Sequence, residues 1–129
     1  MMSGNNDQLG TAAGGIDQEL SPIPLLEAVR SREDKTWESL APRYGVTNPD
    51  PPWKVALYAT FECLSERNAL PTVERRNAED RLVEALYSGT PVPEQQLLAL
   101  AHTMLSRGLL NAEDLARHMT AVRSRLEAA

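Results

Sequence analysis

Four helix-length stretches follow one another from Trp53 to Leu126, each closed by its own stop signal, and none carries the apolar–polar alternation of a strand. A chain with that succession fits one class: an all-α fold, a small bundle of about four antiparallel helices joined by short loops. In the first stretch Trp53, Leu57, Phe61 and Leu64 recur at helical spacing, which puts them on one face of a helix running to about Asn68. Pro71 and Thr72 open the second, and Gly89 with Thr90-Pro91 stops it after Ser88. The third offers Leu97, Leu100, Ala101, Met104 and Leu105 as its core-facing stripe and closes at Gly108. Asn111 caps the fourth, with Glu113 and Asp114 in the first turn and Leu115, Met119, Val122 and Leu126 as its apolar face.

The region upstream is punctuated differently. Residues 1–20 are rich in Gly, Asn, Ser and Ala without any period, so they are expected to form a flexible arm. Residues 21–45 hold a short helical segment, and the proline-bearing stretch 46–52, VTNPDPP, is the clearest internal boundary, a linker to the helical domain over 53–129.

Composition narrows the function classes. A net charge of -5 without a concentrated basic segment argues against nucleic acid, since phosphate binding needs a cationic face. No apolar run approaches the roughly 18 to 20 residues that span a bilayer, and residues 1–15 lack the basic end and apolar stretch of a signal peptide. The expectation is therefore no membrane role and a cytoplasmic location. The single cysteine, Cys63, allows neither an intrachain disulfide nor a cysteine-built metal site, and it reads as a small buried hydrophobe rather than a nucleophile. His102 and His118 lie on different expected helices without carboxylates at ligand spacing, so no metal site is expected in this chain.

One irregularity stands out in the second helix. Val73, Arg76, Asp80, Val83 and Tyr87 step by three, four, three and four, which places Arg76 in the apolar stripe and leaves Arg75 the more exposed of the pair. An arginine there needs a partner. Asp80, one turn on, would supply a weak local pair; a protein interface presenting anionic oxygens would use the planar fork of donors more fully.

The stretch from Pro52 to Leu126 resembles the N-terminal helical part of the nitrile hydratase β-subunit. It is closer still to the short separate β-subunit of thiocyanate hydrolase and to the split β-subunits of three-subunit nitrile hydratases such as toyocamycin nitrile hydratase. The residues that carry the resemblance are Trp53 opening the first helix, Glu74 with Arg75-Arg76, Tyr87 at the end of the second helix, Pro91 before the third, and LSRGLLNAEDL over 105–115, in the family's order and spacing. The resemblance implies a non-catalytic β-type subunit of a hetero-oligomeric lyase that hydrates a nitrile to an amide. Its implied partners are a metal-bearing α subunit, holding cobalt(III) or iron(III) in a loop with oxidised cysteines, and a separate β-barrel subunit. No cofactor is then expected in this chain. The resemblance further implies that Arg76 binds the oxidised-cysteine oxygens and that Phe61 and Thr72 line the substrate pocket. Val92 stands where typical β-subunits carry a tyrosine, and Gln96 where they carry a tryptophan, which implies a wider pocket. Two alternatives accompany this reading: a nitrile hydratase activator that escorts metal into the α subunit, and a thiocyanate hydrolase-type subunit. A helical interaction module unrelated to nitriles is the third.

Overall fold

The computed structural model describes residues 19–128, the side chain of Glu33 excepted, and every regular element among them is helical. In chain order these are α1 (Pro24–Arg30), a short 3-10 turn (Glu33–Lys35), α2 (Trp37–Arg43), α3 (Lys54–Glu66), α4 (Thr72–Leu82) continued by a π-helical turn (Val83–Tyr87), α5 (Val92–Ser106) and α6 (Ala112–Ala128). The fold is all-α, as the stop signals predict. The arm expected over 1–20 lies outside the described residues as far as 18. Its last two residues correct that boundary: Leu20 packs on the core, and the Glu19 carboxylate pairs with Arg81 at 3.1 Å and Arg107 at 3.7 Å.

α5 is the central element, and it buries more of its surface than one stripe. Leu98 and Ala99 join Leu26 of α1, Leu82 and Tyr87 in one cluster, whereas Leu100 faces a second cluster with Leu57, Phe61 and Leu70. A helix placed between two clusters needs apolar residues on two sides, so the single stripe read from the sequence is incomplete. Leu97, expected in that stripe, is 40% exposed. Because Leu26 shares the first cluster, the short helical segment before the 46–52 linker packs into the same core as the helices after it. Glu94 in the first turn of α5 reinforces this by accepting the backbone N–H of Trp37 at 2.6 Å, where α2 begins.

Two of the connections are built alike. After α3, Asn68 takes φ +58°, and the carbonyl of Leu64 accepts from the N–H groups of Ala69 and Leu70; after α5, Gly108 takes φ +73°, and the carbonyl of Met104 accepts from Leu109 and Leu110. Both satisfy helix-terminal carbonyls with a left-handed residue, which Asn tolerates and Gly adopts freely. The second turn feeds α6, whose cap matches expectation: the Asn111 side-chain oxygen accepts from Glu113 and Asp114 at 2.9 and 3.1 Å. The packing of α6 does not match. None of its residues is buried, and its Leu115, Met119, Val122 and Leu126 stripe stays open instead of entering the core.

Candidate functional site

The π turn decides which arginine faces inward. Counted back from the fully buried Tyr87, the next buried residue is Leu82, five positions away, then Ala78, then Arg75, whose side chain is only 12% exposed. A π turn widens the spacing between aligned residues from four to five, so counting back at the α-helical period lands one or two residues late at each step. That shift explains why the sequence points to Val83, Asp80, Arg76 and Val73. Val73, Arg76 and Asp80 are all exposed, and the expected order of burial of the two arginines is reversed. The local ion pair also moves by one: Arg75 Nη1 lies 3.5 Å from Glu79 Oε1, and no Arg76–Asp80 pair occurs among the described residues.

Arg75 is held from two sides. Its guanidinium carbon sits 3.8 Å from the centroid of the Phe61 ring, close enough for a cation–π contact, while Glu79 takes one terminal nitrogen. The buried Nε has no hydrogen-bond partner among the described residues. Burial pushes the Glu79 carboxyl above its usual range, against the pull of Arg75, with Asp80 raising it further and Arg76 lowering it. Arg76 thus acts on this pair by charge while its own side chain stays in solvent.

Phe61, Thr72 and Arg75 line one open cavity of about 500 Å³ between α3 and the start of α4, with Tyr58, Ser65 and the carboxylates Glu62 and Glu66 at its edge. The Tyr58 and Phe61 rings stack with centroids 5.8 Å apart and planes inclined by 29°. Lys54 lies 5.4 Å from the Tyr58 centroid and donates to Asp50 at 3.0 Å, and that hydrogen bond is the main cause of its raised pKa. Thr72 donates to the Ser65 hydroxyl at 3.1 Å, tying the first residue of α4 to the last turn of α3. The cavity therefore offers an aromatic floor, a clamped cation and two hydroxyls, a set suited to a small polar molecule with a flat or π-rich part. Two of the three pocket residues expected from the sequence are brought together here.

Val92 is not. It opens α5, 64% exposed, and lines a separate depression with Trp37, Pro42 and Val46. Cys63, expected to be buried, is exposed on α3. Among the described residues no group of three or more His, Cys, Asp or Glu side chains is arranged to hold a metal ion, and no helix is long and apolar enough to cross a membrane.

The two histidines part company as well. His118 is exposed on α6, whereas His102 is fully buried in α5 between Tyr87 and the backbone of Glu19. The Tyr87 Oη–His102 Nδ1 and His102 Nε2–Glu19 O distances are both 2.7 Å. Since a carbonyl can only accept, Nε2 carries the proton and Nδ1 accepts from the tyrosine. Desolvation lowers the pKa of His102 despite the opposing pull of Glu19, and it drives that of Tyr87 up to about 12. Sequence reasoning gave no role to this relay, because its third member is a backbone carbonyl in a segment that reads as an arm. Compared with family models, curated proteins and solved structures, the chain finds no match.

Proposed function

We propose that this chain is a non-catalytic β-type subunit of a hetero-oligomeric nitrile hydratase, completing an active site whose metal is carried by a partner α subunit. The observation that supports this reading is the cavity in which Phe61 and Thr72, residues of two different helices, meet Arg75, the immediate neighbour of Arg76. Those are the positions that the resemblance associates with substrate and with the partner's oxidised cysteines. In the proposed assembly the partner's cobalt(III) or iron(III) supplies Lewis acidity. This chain's part is positional: Phe61 and Thr72 face the nitrile, Arg75 stiffens the wall through its contact with Phe61, and the exposed Arg76 reaches across the interface to anionic sulfur-bound oxygens.

The test is to purify the tagged chain from cells that make it and assay the assembly on nitriles and, in parallel, on thiocyanate. The expected result is a stoichiometric partner bearing a Cys-x-x-Cys-Ser-Cys loop, and nitrile-to-amide turnover. In that assembly Arg76→Lys should lower turnover on the order of ten- to a hundredfold, because charge-assisted hydrogen bonds at a buried interface are worth about 1.5 to 3 kcal/mol, while the melting temperature stays put. Near wild-type turnover in Arg76→Lys would show the assigned role of Arg76 to be wrong. A chain that purifies without such a partner would overturn the function, and an assembly that turns over without this chain once loaded with metal would favour the activator role.

A further inference from the structure

A larger open apolar feature than the cavity at Arg75 is a groove of about 780 Å³ between α1 and α6. Its walls are Val29 of α1 and the whole stripe of α6, Leu115, Met119, Val122 and Leu126, the last of them 72% exposed. From Leu115 to Leu126 the stripe rises by about 17 Å, three helical turns, the length over which an amphipathic helix seats its i, i+3, i+4 and i+7 anchors. The charged residues lining the groove, Arg32 on the α1 side and Arg123 on α6, are both cations, and His118 stands beside them. Among the described residues no carboxylate lines it, although the chain as a whole carries a net charge of -5.

We infer that the α1–α6 groove is the docking site for an acidic amphipathic helix of a partner protein, one with an apolar stripe flanked by Asp or Glu. The charge pattern selects this occupant over a second copy of the chain, since a second α6 would bring another Arg123 and His118 against the same basic walls. The inference is independent of the nitrile reading, because it concerns a different face and uses none of the residues at the Arg75 cavity.

The probe is a fluorescein-labelled helical peptide of Leu, Ala and Glu, with leucines at i, i+3, i+4 and i+7 and glutamates on both flanks, set beside its lysine-for-glutamate counterpart. Titrated against the full chain and followed by anisotropy and amide NMR, the glutamate peptide should bind at least about tenfold tighter at low salt, and added salt should narrow the gap. Amide shifts should cluster at Val29, Met119, Val122 and Leu126. Arg123→Glu should narrow or invert the peptide preference, and Leu126→Asp should weaken the glutamate peptide about tenfold or more. Equal binding of the two peptides, shifts elsewhere on the wild-type chain, or no binding would overturn the proposal. So would sedimentation showing that the chain dimerises and that Leu126→Asp abolishes the dimer.

Discussion

α4 and α6 emerge from the same kind of turn and meet opposite fates. α6 has the most distinct apolar stripe of the chain's longer helices, yet none of its residues is buried; α4 has the least distinct, yet it buries Ala78 and Leu82 completely. Amphipathicity reports that a helix has a face in need of cover, and says nothing about which molecule covers it. In α4 the cover of Leu82 is α5 and α1, reached by a single leucine among charged neighbours. In α6 no described residue supplies that cover.

The sharpest way to break this contrast is a pair of equal truncations. Leu82→Ala removes a fully buried side chain from the core and should cost about 2 to 5 kcal/mol, whereas Leu126→Ala should stay within about 0.5 kcal/mol. Chemical denaturation of both variants checks it; a comparable loss in Leu126→Ala would mean that α6 is packed in solution.

A second effect belongs to the buried side alone. His102 has a folded pKa below its ordinary value of 6.5, so the unfolded chain binds more protons over that interval. Its contribution is present above about pH 6.5 and is lost as the pH falls through the interval toward the lower folded value, with a slope no steeper than about 1.4 kcal/mol per pH unit. Comparing the stability of wild type and His102→Gln between pH 7.5 and 5 should show the wild type losing stability and the variant, already weaker at pH 7.5, losing less. Parallel pH profiles would remove His102 as the source.

The smallest effect sharpens the likeness of the two turns. Adding a Cβ at Gly108 meets no atom within 4 Å, so Gly108→Ala should cost only the backbone strain of a positive φ, about 1 kcal/mol. Asn68→Gly, at the matching place, should change stability by less than that. Thermal melts of the two variants resolve the difference, and a larger loss in Asn68→Gly would mean that the asparagine side chain has a role beyond its backbone conformation.

Helix number, order and stops were legible because they rest on local chemistry: prolines at helix starts, a left-handed residue at the ends, Asn111 as a cap. The apolar face of α3 was legible for the same reason, since Leu57 and Phe61 are buried as their spacing predicts. What was not legible needed information from elsewhere in the chain. The burial of both sides of α5 follows from its central position, which no local period announces. The docking of Glu19 depends on Arg81, Arg107 and His102, all more than sixty residues away. Phe61 and Thr72 share one cavity, but the arginine that faces inward beside them is one position earlier than the spacing indicates, and the π turn is the cause.

That turn amounts to a single extra residue, and its consequence reaches into how the chain can diverge. With Tyr87 anchored on His102, removing one residue between Val83 and Leu86 would restore an unbroken α-helix and keep Leu82, Ala78 and Arg75 on the same face, whereas winding the turn into α-helix with no residue removed would rotate everything before it by about 100°. In that second case Arg76 would swing to the Phe61 ring and Arg75 out to solvent. The two adjacent arginines are in effect a preloaded pair, and a change from π to α winding at unchanged length is enough to exchange the clamped cation for the free one without altering either. Any alignment carried across this segment has to permit a one-residue gap there before it assigns a role to either arginine.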